Sequence, residues 1–368
     1  MFFENIEYIP ILGLKPAEMA ALQELPGKDK DSLLPLIPLK KWANSGSLEK
    51  SFKRIEKAFG HRPIILDLDK EYLSTCKSED TGVSSEFLGL CNPEEGYKNW
   101  VSLFKQYPNY IPVLQIKDVG ELSAQLDSFI ELECPIVLRL ELGLKVDKKL
   151  DIEYFIDALK ILLAKKSYIK DLLIILDYGD FSRKDLINYH RYRSIIEWFS
   201  KNFPLVSISI SGTSFPYLFT GSYRGEIPIY ERQIYNKISS ELTDIQLIYS
   251  DRASTSAGKL GGGGQRPPPR VDYPLKNDWR FIRKEDDDYE PRYLYQEACR
   301  EIIKSEYWNK DLRLWGVQMI EETSLKDPYG ITSPQKATAV RINIHLYLQL
   351  HYSENLDDLD TDEDWEDL

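Results

Sequence analysis

Apolar runs along this chain repeatedly end in a polar or acidic residue. ProIleIleLeuAspLeuAsp ends at Asp69, IleProValLeuGlnIleLysAsp at Asp118, ProIleValLeuArgLeuGlu at Glu141, LeuIleIleLeuAspTyrGlyAsp at Asp180 and IleGlnLeuIleTyrSerAsp at Asp251. Short apolar runs of this kind read as buried parallel strands with polar groups at their carboxyl ends. Eight strands are predicted in order: 7–13, 34–39, 64–69, 112–116, 136–141, 172–177, 205–210 and 246–250. Amphipathic helices are predicted between and after them at 16–25, 48–59, 93–106, 120–129, 152–164, 183–201, 230–240 and 289–304. Alternating strands and helices specify a helix-covered parallel sheet, and eight units suggest a TIM-like (β/α)8 barrel. An open doubly wound sheet uses the same alternation, but no Gly-rich first turn argues for it.

Helices cover the outside of such a barrel, so a polar strand residue must face inward. By alternation Asp67 and Asp69 share one face, as do Arg139 and Glu141, while Ser207, Ser209 and Ser211 line a third strand. The expected mouth therefore contains Asp67, Asp69, Gln115, Arg139, Glu141, Asp177, Ser209 and Ser211, with Asp118, Asp180, Asp251 and Arg252 just above. So many charges stay buried only when paired or hydrogen-bonded, which leaves either an internal network or a ligand site.

Each group has a functional and a structural reading. Asp67 and Asp69 offer hard oxygens to magnesium or manganese, or serve as salt-bridge and capping partners. Arg139 beside Glu141 is either an anion clamp or an internal ion pair. Asp177 and Glu141 are the candidate acid–base residues, although Asp177 and Asp180 also flank a turn at Gly179. Gln115, Arg139, Ser209, Ser211, Asp251 and Arg252 are the candidate ligand contacts. The chain lacks HExxH, GxSxG and Walker patterns, so zinc hydrolysis, a serine elbow and a P-loop have no support. His345 lies one helical turn after Arg341, as a packed helix with a satisfied histidine would place it.

Composition narrows the partners. A net charge of −12 opposes a broad grip on nucleic acid, leaving only a local basic set at Arg266, Arg270, Arg280 and Arg283. Four scattered cysteines give neither a disulfide framework nor a CxxC pair. With acids at its start and no apolar run of spanning length, the chain is expected to be cytoplasmic and free of membrane. One barrel-like domain is expected over 1–352, with an insertion at about 70–92, a Gly/Pro loop at about 253–269, an irregular C-terminal extension, and a closing helix at about 334–352. The acidic segment 353–368 should stay disordered, with Trp365 and Leu368 as apolar anchors for a partner.

The opening TyrIleProIleLeuGlyLeuLysProAlaGluMet, the run LeuLeuProLeuIleProLeu, TyrSerAspArg at 249–252, ArgValAspTyrPro at 270–274 with Trp279, and ThrAlaValArgIleAsnIleHisLeuTyr at 338–347 resemble the beta protein family of phages, prophages and bacterial mobile elements. Gly13 in the first strand and Leu346 after His345 depart from that pattern. The resemblance implies a barrel-like architecture and an association with antiphage defence, and it brings no assigned reaction. Two readings follow. One is a defence component whose mouth binds a small or phosphorylated ligand, with metal-dependent hydrolysis as an extension; the other is a sensor or adaptor that engages a protein partner through its acidic tail.

Overall fold

The computed structural model describes residues 2–77, 81–143, 155–204, 206–217, 219, 223–257 and 267–354. Arg266, the start of the helix expected from 152, the glycine run and the acidic tail with its anchors Trp365 and Leu368 lie outside the described residues.

Eleven strands are described: β1 (Tyr8–Pro10), β2 (Leu36–Leu39), β3 (Ile64–Leu68), β4 (Tyr110–Pro112), β5 (Ile136–Glu141), β6 (Leu172–Asp180), β7 (Ser207–Thr213), β8 (Arg224–Pro228), β9 (Leu247–Asp251), β10 (Arg270–Pro274) and β11 (Asp278–Arg283). They form a five-stranded parallel sheet in the order β1-β9-β7-β6-β5, a three-stranded parallel sheet β2-β3-β4, and a three-stranded antiparallel sheet β10-β11-β8. The protein is thus a mixed α/β molecule. No continuous ladder runs round all eight parallel strands; the two parallel sheets touch through isolated parallel bridges, Ile11 with Leu36 and Val113 with Val137.

All eight expected strands are present, with β4 shifted toward its N-terminal side. Pro16–Gln23, Pro291–Ile303 and Pro334–Leu350 begin with proline, which has no N–H to leave unpaired in the first turn. The expected helix 183–201 is divided at Asn188 and Tyr189 into Arg183–Ile187 and His190–Asn202. The insertion after β3 contains the helices Lys70–Leu73 and Val83–Leu90.

The C-terminal part is regular where irregularity was expected. Besides the two expected helices, Pro291–Ile303 and Pro334–Leu350, it contributes β10 and β11 of the antiparallel sheet and the helix Trp315–Ser324. Ten successive residues, Arg341 to Leu350, are buried, so beyond its first turns this last helix has no solvent face and no amphipathic stripe. Its polar residues at four-residue spacing each reach a different element: Arg341 bonds Asp272 of β10 at 2.6 Å, His345 bonds Asp251 of β9 at 2.7 Å, and Gln349 accepts from Arg232 at 2.7 Å. Among the described residues no helix is long and apolar enough to cross a membrane.

Where this helix ends, His351 bonds Asp29 at 2.9 Å and Glu354 at 3.0 Å. Burial pulls the imidazole down, but the two carboxylates outweigh it and hold it above its ordinary value. A raised histidine contributes stability below its unfolded pKa of about 6.5 and loses it as pH rises through the folded value, with each unit of elevation worth about 1.4 kcal/mol. The melting-temperature gap between the native chain and His351→Gln is therefore expected to be wider at pH 6 than at pH 9; an equal gap at both would remove this linkage.

Candidate functional site

Strand alternation separates two apolar clusters. Leu66, Leu68, Leu138, Leu140, Ile174, Leu176, Ile208 and Ile210 pack with the helices. Ile9, Ile11, Leu36, Ile65, Val113, Val137, Leu173, Ile175 and Ile248 form a second cluster on the opposite strand faces. Asp67, Gln115, Arg139 and Asp177 share the parity of that second cluster, one step further along their strands. The polar layer therefore sits directly on an apolar floor.

Arg139 is its centre. The guanidinium donates from Nη1 to Asp67 at 2.9 Å, and from Nη2 and Nε to Asp177 at 2.5 and 3.1 Å, with Glu141 at 3.3 Å from Nη2. Asp67 also accepts from its neighbouring Leu68 amide and from Gln115 Nε2 at 3.1 Å. Arg252 donates to Asp177 at 2.8 Å, and the Gly179 amide adds a further bond at 3.1 Å. Burial pushes the Asp177 carboxyl up, but Arg252 and Arg139 overcome this and take it down to about 2. The same balance acts on Glu141: burial raises it, and Arg139 with Lys70 brings it below the ordinary glutamate value. Lys70 reaches Glu141 at 2.6 Å across the rim.

Beside this network, at the carboxyl ends of β3, β4 and β5, lies a cavity of about 370 Å³. Leu68, Leu73, Leu114, Leu142 and Phe155 supply its apolar wall, while Asp67, Gln115, Arg139, Glu141, Lys70 and Lys117 supply its polar one. Such a mixture, apolar with few convergent polar groups, suits a small molecule. Lys117 is exposed and, among the described residues, has neither an ion-pair partner nor a hydrogen bond. Cys91 also lines the cavity, and burial pushes its thiol up to about 12, so it is a poor nucleophile there.

Tyr97, another lining residue, belongs to a strained turn. Glu95, Gly96 and Tyr97 have φ of 54°, 66° and 58° at the start of the helix Glu94–Gln106. Left-handed backbone costs a non-glycine residue about 1–2 kcal/mol. Here it lets Gly96 approach the helix Leu122–Glu131 so closely that a Cβ would meet the Gln125 amide nitrogen at 2.7 Å. Gln125 in turn clasps both backbone groups of Gln115, accepting from its N–H at 2.8 Å and donating to its carbonyl at 3.3 Å.

The remaining expected residues are distributed unevenly. Ser209 and Ser211 are fully buried, and their hydroxyls have no hydrogen-bond partner among the described residues. Asp69 caps the helix Lys70–Leu73 through the Tyr72 amide and pairs with Lys40 at 3.1 Å, away from Asp67's partners. Asp118 caps the turn at Gly120, and Asp180 accepts from Tyr217. Among the described residues no group of three His, Cys, Asp or Glu side chains is placed to hold a metal ion. Asp67 and Asp69, the pair expected for magnesium or manganese, thus hold separate partners, Arg139 and Lys40.

Asp251 does not join the mouth. Its parity is opposite to that of Ser250 and Arg252, which sends its side chain outward to Tyr8, Tyr249 and His345. This outward cluster was not foreseen. Trp279 donates to His345 Nδ1 at 3.3 Å, and the Arg232 guanidinium lies 3.3 Å over the Tyr249 ring. Glu231, buried nearby, is raised to about 8, by burial first. TyrSerAspArg, Trp279 and the closing helix, separate in sequence, meet here. The three described members of the local basic set are each paired with acids: Arg270 with Asp272, Arg280 with Asp278 and Glu226, and Arg283 with Glu285.

A family model described as Beta protein matches residues 8–351 of the chain. The chain is also 30% identical over 379 residues to "Protein beta" of Enterobacteria phage P4, covering 100% of this chain and 99% of that protein.

Proposed function

The chain belongs to the Beta protein family, and from that premise we propose that it binds a small anionic molecule at the carboxyl ends of its parallel strands, as a component of an antiphage defence system. The observation that carries this reading is Lys117, a cation with no partner among the described residues that lines a mostly apolar cavity of about 370 Å³. An anionic group on a ligand would neutralise it, while the apolar wall would take the rest of the molecule. We further read the eight parallel strands as one (β/α)8 barrel within a single domain. The bridges at Ile11 and Val113 support this, with Leu12 N donating to Leu36 O at 2.9 Å and Leu114 N to Val137 O at 2.8 Å across the two seams.

Binding is favoured over metal-dependent hydrolysis. Asp67 and Asp177 have their oxygens occupied by Arg139, Arg252, Gln115 and backbone amides. In this reading they hold the guanidiniums in place, and Glu141, kept ionised by its two cations, is a weak base. Calorimetric titration of the full chain with AMP, ADP, glucose 6-phosphate and citrate tests the proposal. At least one should bind saturably, and Lys117→Glu should weaken it by about tenfold or more through loss and reversal of one charge. No saturable binding, or affinity unchanged in Lys117→Glu, overturns the reading.

A further inference from the structure

We infer that His345 is a positioning residue for the mouth, acting through Asp251 to hold the Arg252 guanidinium on Asp177. The inference rests on reading the mouth as a binding site. His345 and Asp251 are both fully buried and neither reaches the cavity, so any role they have there is indirect.

The geometry has three steps. Trp279 Nε1–H donates to Nδ1 of His345, which leaves the ring proton on Nε2, facing Asp251 Oδ2 at 2.7 Å. Asp251 then has four donors: His345, the Tyr8 hydroxyl at 2.7 Å, the Tyr249 hydroxyl at 3.0 Å and the Ala253 amide at 2.8 Å. A buried carboxylate with that many donors is fixed in orientation without a touching cation.

The last of these bonds matters most. Ala253 and Ser254 have φ of 45° and 58°, two left-handed non-glycine residues in succession, both buried. Strain of this kind persists only where the surroundings impose it. The clasp on the Ala253 amide, with Thr255 bonded back to the Arg252 carbonyl through its N–H at 3.0 Å and its hydroxyl at 2.7 Å, imposes it here. The turn so formed starts at Arg252 and aims its side chain inward, where it meets Asp177 at 2.8 Å. Asp177 bonds Arg139, and Arg139 lines the cavity. A continuous hydrogen-bonded path therefore runs from the C-terminal helix and the antiparallel sheet to the binding wall, with the strained turn as its mechanical element.

The test uses the full ¹⁵N-labelled chain and needs no ligand, so its outcome is independent of whether AMP, ADP, glucose 6-phosphate or citrate binds. In His345→Leu the Arg252 Nη2–H resonances should move to the positions they take in Asp177→Asn, and the Ala253 amide should exchange about tenfold faster or more. His345→Gln, whose amide can donate to Asp251, should restore both signals. Val340→Ala, a packing loss in the same helix, should lower the melting temperature while leaving both signals in place. If His345→Leu does not fold, Trp279→Phe withdraws the Nδ1 donor and should shift the same two signals. Unchanged signals in the folded His345 or Trp279 variant, or equal shifts in Val340→Ala, overturn the inference.

Discussion

Arg139→Met is expected to destabilise the protein by about 3–5 kcal/mol, the usual cost of removing one partner from a buried ion network. The reason is the charge left behind. Asp67 and Asp177 are only 2% and 1% exposed, and Arg139 is the one cation they share. Asp177 would keep Arg252, while Asp67 would keep only Gln115 and a backbone amide. Methionine fills much of the volume, so the loss would report charge and not a cavity. Urea unfolding measures it, and the double variant Arg139→Met with Asp67→Asn should recover about 1–3 kcal/mol because it removes the stranded anion. A loss below about 1 kcal/mol in the single variant would mean that water already reaches these carboxylates.

Gly96→Ala is the second large effect. The added Cβ would meet backbone atoms, the Gln125 nitrogen at 2.7 Å and the Ala124 carbonyl carbon at 2.8 Å, so no side-chain rotation can relieve it. The φ of 66° adds the left-handed penalty. A destabilisation of about 3 kcal/mol or more is expected, from overpacking and backbone strain together. Because Gln125 clasps Gln115, the variant should also disturb the mouth: the Gln115 amide should exchange faster even when the rest of the spectrum is native-like. A neutral Gly96→Ala would mean that the two helices separate freely at this point.

How much of this was legible beforehand depends on whether periodicity survived in each segment. The parallel strands were readable because helices cover one face, and the split of Ile65 and Leu66 into separate clusters follows that alternation. The same rule, extended by one step, would have improved the site. Lys117 shares parity with Gln115 and lines the cavity, whereas attention fell on Asp118. Arg252 shares parity with Ser250, whereas Asp251 does not and turns outward to His345. Counting acids at strand ends without counting parity put Asp251 on the wrong face.

The antiparallel sheet was missed for another reason. β8, β10 and β11 are five or six residues long and mix arginine with apolar residues on faces that are partly exposed. β8 pairs with β11 across the helix Tyr230–Glu241 and β9, so no local pattern marks it as part of a sheet. The insertion after β3 gave a similar result, since its serine and glycine content hides two short helices whose definition comes from packing against neighbours.

The seam between β4 and β5 carries one parallel bridge, at Val113 and Val137, and the cavity lies immediately above it. The seam between β1 and β2 is equally slight, with its one bridge at Ile11 and Leu36, whereas the ladders inside each parallel sheet are longer, six aligned pairs between β5 and β6 among them. Local opening beside the cavity therefore breaks few strand-to-strand bonds, and the leaf β2-β3-β4 can yield there while the five-stranded sheet stays whole. Under the binding reading, this lightly stitched seam would double as the doorway of the cavity.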